Sequence, residues 1–227
     1  VNSGFGLILM IILTIAICAV GIEGVAGFIM NVDKMGVSVL IPLIPIVVYF
    51  CSGIMATTCV SPSLEGKNMW ILDSLPVKRM DVYKGKALFN QLLFQPASVI
   101  VMIIIGIRIA APPLTVVLYV VCILALNSFS TYWGLRCGVK HIKLNWDNEV
   151  EVIKKGAALG IFMIVNMVLT FAMFFLSAVF MGACIKGVIP VSPEMGMNIP
   201  LLIWTGLSVV LTAICSRSVA KMAEKKA

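Results

Sequence analysis

Six long apolar runs dominate this 227-residue chain and restrict it to one class of fold. Each run has roughly the 20 residues that an α-helix needs to cross the hydrocarbon core of a bilayer. Apolar residues make up 61% of the chain, and charged residues make up 12%, about half the share found in soluble domains. The sequence therefore predicts an all-α, polytopic membrane protein with one transmembrane domain over residues 1–227. The predicted spans are residues 4–22, 37–59, 88–109, 114–135, 157–184 and 199–215.

Basic residues predict how these spans are oriented. Five lie in the loop at residues 60–87, five in the loop at residues 136–156 and four in the C-terminal tail. Only Lys34, Arg108 and Lys186 remain for the opposite side. Because basic residues accumulate on the cytoplasmic side, both loops and both termini are predicted to be cytoplasmic, in the plasma membrane. This topology also explains the net charge of +7, so a bilayer is expected as a partner and nucleic acid is not.

The start of the chain has its own implication. The first residue is Val1, an apolar run begins at once, and no basic segment of the kind that opens a signal peptide precedes it. We therefore expect the chain to be one unit of a longer polypeptide.

The first loop carries an amphipathic pattern. Ser61 followed by Pro62 is typical of a helix start, and Pro76 predicts where that helix ends. Leu64, Ile71, Leu72 and Leu75 would then share one face at helical spacing, with Trp70 on another side. Two interpretations follow from the residues alone. The helix either lies in the lipid headgroups or docks into a groove of a soluble partner.

The same loop resembles a motif of permeases of type-2 ATP-binding cassette (ABC) exporters. The matching residues are Ser63, Glu65, Gly66, Lys67, Trp70, Leu72, Ser74, Leu75 and Pro76, and Lys86 is similar to the basic residue before the third span of that group. The segment Leu144–Glu149 is similar to the W-x-N-E segment of the group's second cytoplasmic loop. Motif similarity covers about 35 residues, and some members carry two such units in one polypeptide.

This resemblance implies a transport subunit, not an enzyme, that exports an unidentified substrate and is driven by a separate ABC ATP-binding subunit. ATP and Mg²⁺ would bind that partner, and no cofactor is expected in this chain. A second permease unit is implied as a further partner. The coupling residues implied by the motifs are Glu65, Gly66, Lys67, Trp70, Leu75 and Pro76, followed by Trp146, Asn148 and Glu149.

The residues themselves agree with a chain that hydrolyses no nucleotide. A phosphate-binding loop needs the pattern G-x-x-x-x-G-K-[ST]. The dipeptide Gly66–Lys67 precedes Asn68, and Gly85–Lys86 precedes Ala87, so neither fits. No metal site is expected either, because the chain has a single histidine, His141, and no C-x-x-C pair.

Polar residues in or near the spans are candidates for a transport path. They are Glu23 at the far end of the first span, Gln95 in the third, Asn127 in the fourth and Asn166 in the fifth. Hydrogen bonding between helices is the alternative role of the amides, and placement at the membrane interface is the alternative for Glu23. The glycine pair Gly134 and Gly138 permits close helix contact, but such pairs are common and carry little weight.

Two other classes of function stay open at the level of sequence. A secondary transporter driven by an ion gradient commonly has charged residues near the bilayer centre, and the centres of these spans hold none. A membrane scaffold or immunity protein could use the first loop to bind a partner without transporting anything.

Overall fold

The computed structural model describes residues 3–30, 39–53, 57–74, 76–146, 148, 150, 152 and 156–224. Over these residues the chain is helical, with no β-strand in the described part. Two 3-10 turns, Ile41–Leu43 and Gly66–Asn68, precede short helices. The main helices are α1 (Ser3–Met30), α2 (Ile44–Gly53), α3 (Thr57–Leu64), α4 (Met69–Ser74), α5 (Arg79–Arg108), α6 (Pro113–Lys140), α7 (Ala157–Ile185) and α8 (Pro193–Glu224).

Six segments of the described chain are long and apolar enough to cross a membrane, so the predicted all-α, multi-pass membrane fold is confirmed. They are Gly4–Val25, Ile41–Leu64, Arg79–Arg108, Pro113–Lys140, Ala157–Ile185 and Met195–Glu224. The second of these contains both α2 and α3.

Helix α6 is the centre of the bundle. It contacts α5, α7, α8 and both helices of the second segment, whereas α1 packs mainly on α2 and α5. Tyr119, Ile123 and Leu126 of α6 are fully buried in the main apolar core. Large apolar side chains of α1 and α7 instead lie on the outer surface, as expected of helices that face lipid.

At one end of the bundle, helices α5, α6 and α8 extend past the spans predicted from hydropathy. Helix α5 begins at Arg79 and α8 continues to Glu224, and their ends pack together with the end of α6. A second apolar cluster joins these ends and is formed by Tyr83, Ala87, Leu135, Val139, Val219 and Ala223. This end of the bundle also carries most of the described basic residues, and we call it the basic end.

The single helix predicted from Ser61 to Pro76 is wrong. Ser61 and Pro62 lie inside α3, and the chain then turns at Gly66 before the separate helix α4. Packing explains the difference, because the Pro62 ring lies against Gly138 of α6 and holds this segment in the second membrane helix. The Ser61 carbonyl accepts a hydrogen bond from Lys86.

Candidate functional site

The two loop segments that carry the sequence motifs meet at the basic end. The indole Nε1–H of Trp146 donates a hydrogen bond to the Ser63 carbonyl oxygen over 2.8 Å. The backbone N–H of Lys143 donates to the Ser63 hydroxyl oxygen over 3.1 Å. Ser63 itself is buried at the end of α3. Segments about 80 residues apart in sequence therefore form one structural unit.

Gly66 lies directly beneath the Trp146 ring. Its φ of +53° is in the left-handed region, which side chains other than glycine adopt at a cost. A Cβ atom on Gly66 would come within 2.7 Å of Cζ2 of Trp146. Both the turn after α3 and the packing of the indole ring against it therefore require glycine at this position.

An ion pair fixes the other side of the turn. Nζ of Lys86 lies 2.5 Å from a carboxylate oxygen of Glu65 and donates a second hydrogen bond to the Ser61 carbonyl over 3.0 Å. The Lys86 side chain is only 14% exposed, so the pair is screened less by solvent than a surface pair. The pair ties the turn after α3 to α5, while Trp146 ties it to the segment after α6.

The outer side of the unit is apolar and exposed. Trp70 is 66% exposed, and Leu64, Ile71 and Val77 are also exposed. We call these four residues the docking face. Pro76 and Lys78, the sequence neighbours of Val77, are exposed as well, and Lys84 is exposed in the second turn of α5. An exposed apolar surface with a basic border is typical of a site that lipid or another protein covers.

The structure brings together only some of the residues that the motifs implied. Glu65, Gly66 and Trp146 form the unit, and Trp70 lies on its outer side. Asn148 is exposed and accepts a hydrogen bond from the Val150 N–H, which is a local turn. The side chain of Lys67, and residues Leu75 and Glu149, lie outside the described part of the structure.

Ser61, Ser63, Lys86 and Lys143 complete the unit. Two of them act through backbone groups, the Ser61 carbonyl and the Lys143 N–H. Such contacts leave no trace in residue type, so the sequence offers no signal for them. Ser63 and Lys86 have a signal, because both stand in the motif.

The amides proposed as a transport path all make hydrogen bonds between helices. Asn127 accepts from the Ser52 hydroxyl, Asn166 accepts from the Tyr49 hydroxyl, and Gln95 donates to the Ser128 hydroxyl oxygen. Glu23 differs from them, because it lies exposed on α1. Among the described residues, no group of three histidine, cysteine or acidic side chains is placed to hold a metal ion.

Comparison of the chain with protein-family models, with curated proteins and with solved structures found no match. The resemblance of the two loops to ABC exporter permeases therefore stays an expectation. What the chain does has to follow from the geometry of its own residues.

Proposed function

We propose that this chain is the membrane subunit of an ATP-driven exporter, and that a separate ATPase subunit binds its docking face. The observation that carries the proposal is the junction of the two motif segments at Ser63 and Gly66, with Trp70 left exposed on the outside. In this proposal the basic end faces the cytoplasm, the membrane is the plasma membrane, and a second permease unit completes the complex.

The connections of the docking face support a mechanical role. The face begins on α3, which belongs to the second membrane segment. On either side of Leu64, Lys86 connects Glu65 to α5, and Trp146 connects Ser63 to the segment that follows α6. A displacement of the face would therefore reach three membrane segments at once, which is what a rigid-body transport cycle requires.

A lipid anchor is the competing role for the same surface, but it leaves these connections unexplained. An interfacial helix binds lipid through its buried apolar area and through charge. It needs no attachment to the rest of the protein other than the chain itself. Helix α4 is six residues long and follows a turn that the Glu65–Lys86 ion pair holds to α5. Before that turn, Ser63 at the end of α3 is held by hydrogen bonds from Lys143 and Trp146. These restraints favour a surface that transmits force to the bundle.

Truncation of Trp70 tests the proposal. An ATP-binding subunit is first sought among the products of the neighbouring genes. The chain is co-expressed with that subunit, and recovery of the subunit with the purified chain is measured. Because large aromatic side chains often dominate binding energy, Trp70→Ala should lower the affinity by about tenfold or more. Phe89→Ala is the matched control, since Phe89 is 67% exposed on α5 and lies outside the docking face. Equal recovery with the two variants would contradict the proposal.

Functional assays distinguish the proposed exporter from a secondary transporter and from a membrane scaffold. The reconstituted complex is assayed for ATP hydrolysis and for substrate transport. Transport that continues without ATP and stops when the proton gradient is collapsed would identify a secondary transporter. A complex that binds the ATPase but moves no substrate would identify a scaffold.

A further inference from the structure

A row of polar side chains leads from the Glu65–Lys86 ion pair into the middle of the bundle. The row starts on two helices. Lys86 and Asn90 are one turn apart on α5, and Ser61 and Thr57 are one turn apart on α3. We call the whole row the polar track; in order from the basic end it comprises Glu65, Lys86, Thr57, Asn90, Thr131, Asn127, Ser52, Tyr49 and Asn166.

Hydrogen bonds connect the track from Thr57 to Asn127. The Thr57 hydroxyl donates to the Asn90 side-chain oxygen. Asn90 Nδ2 donates to the Thr131 hydroxyl oxygen over 2.9 Å, and the Thr131 hydroxyl donates to the Asn127 carbonyl over 2.8 Å. Asn90 and Thr131 are both buried, so this row runs inside the bundle and not along its surface.

The second half lies near the midpoints of the membrane segments. The Ser52 hydroxyl donates to the Asn127 side-chain oxygen over 2.7 Å and is also within 2.9 Å of the Tyr49 carbonyl. Asn127 Nδ2 donates to the Ser98 hydroxyl oxygen over 2.9 Å. The Tyr49 hydroxyl donates to Asn166 Oδ1 over 2.5 Å. Four membrane segments thus contribute polar atoms to one layer.

The inner end of the track has a donor that is not used. Asn166 is 5% exposed, and its Nδ2 has no hydrogen-bond partner among the described residues. Exchanging the oxygen and nitrogen of the amide would leave one polar atom unpaired in the same place. A buried polar group without a partner is costly, so packing of the helices alone is a poor explanation for this amide.

The outer end of the track adjoins a small cavity. It lies between α4 and the first turns of α5, and Glu65, Tyr83 and Lys86 are among the residues that line it. The ion pair therefore stands between a cavity at the basic end and the buried polar side chains behind it. The hydrogen-bonded pair Thr57 and Asn90 lies one helical turn behind it, on α3 and α5.

We propose that the polar track is an access path from the basic end to Asn166, and that the Glu65–Lys86 ion pair closes it. The ligand class is an uncharged hydrogen-bonding group, such as an amide or hydroxyl, whose oxygen accepts from Asn166. The track beyond the ion pair consists of Asn, Ser, Thr and Tyr side chains, which can form hydrogen bonds with a neutral amide or hydroxyl. These uncharged side chains would not offset the cost of burying a charged ligand. The use of the path for export rests on the proposed function, whereas its accessibility does not.

Cysteine alkylation in lipid nanodiscs tests the path without an ATPase or a known substrate. Asn166→Cys is reacted with neutral iodoacetamide and with anionic iodoacetate, and modification is followed by peptide mass spectrometry, with each reagent normalised to free cysteine. Met173→Cys is the control, because Met173 is buried on the same face of α7 and lies off the track. Each variant is made with the native Lys86 and with the Lys86→Gln change.

We expect Lys86→Gln to speed alkylation at position 166 by about tenfold, because it removes an interaction present only in the closed state. Position 173 should not respond, and iodoacetamide should react faster than iodoacetate. If Asn166→Cys does not fold, Ser98→Cys in the same layer replaces it, since this change is nearly isosteric. Equal alkylation rates at position 166 with and without the Lys86→Gln change would overturn the proposal. So would a rate at position 166 no higher than that at position 173 when both carry the Lys86→Gln change. Equal recovery of the ATPase with Trp70→Ala and Phe89→Ala would contradict the proposed function but would leave this result untouched.

Discussion

At the residue scale, Gly66 is the position in the unit of the two loop segments where the backbone allows least change. Alanine there must adopt a left-handed φ, which costs about 1–2 kcal/mol, and its Cβ would also press against the Trp146 ring. We therefore expect Gly66→Ala to destabilise the loop and to lower the thermal unfolding temperature of the purified protein. Protease cleavage between residues 63 and 86 should also become faster.

Gly85→Ala is the matched control for that change. Gly85 lies inside α5 with open space around it, so alanine should stabilise the helix by about 0.5–1 kcal/mol. An unfolding temperature for Gly66→Ala as high as that of Gly85→Ala would show that the indole does not rest on the turn.

Motif resemblance predicts part of this unit. Glu65, Gly66 and Trp146 are all candidates from the sequence, because they stand in the two segments that resemble loop motifs of ABC exporter permeases. Their mutual contact is not predictable in the same way, since Trp146 follows Ser63 by about 80 residues and bonds to its backbone carbonyl. A pattern of side chains contains no information about which carbonyl a distant indole will reach.

At the element scale, α3 shows how packing overrides a local signal. Ser61 and Pro62 are a favourable pair for starting a helix, yet both lie within one. A Cβ on Gly134 would come within 2.5 Å of the Thr58 hydroxyl oxygen, so α3 and α6 approach very closely. The glycine pair that carries little weight in the sequence is the reason this approach is possible.

Gly138→Ala tests the contact between α3 and α6. The new Cβ would overlap the Cys59 carbonyl oxygen, and backbone cannot move aside as a flexible side chain can. We expect a loss of about 1–3 kcal/mol, as is usual when a tightly packed interface is overfilled. Thermal unfolding in detergent measures it. Gly160→Ala, with open space around the residue, should leave stability unchanged or slightly higher, and a similar loss in both variants would contradict the close packing.

At the scale of the whole molecule, hydropathy is sufficient for the architecture. Lipid must cover the outward apolar side chains, so each long apolar run becomes a membrane-spanning helix whatever its neighbours are. The helix ends are less predictable. Helix α5 begins nine residues before the apolar run at Leu88 because Tyr83 and Ala87 pack against α6 and α8. Such contacts depend on the assembled bundle and leave no mark in the hydropathy of a single segment.

Orientation is the remaining whole-molecule prediction. Because basic residues concentrate at one end of the bundle, we expect that end to face the cytoplasm. Lys84→Cys at the basic end and Val188→Cys at the opposite end, both exposed, are made in a chain whose native cysteines are replaced by alanine. A membrane-impermeant maleimide added to intact cells should label position 188 at once and position 84 only after the membrane is permeabilised. The reverse pattern would place the docking face outside the cell, where no ATP-hydrolysing partner could reach it.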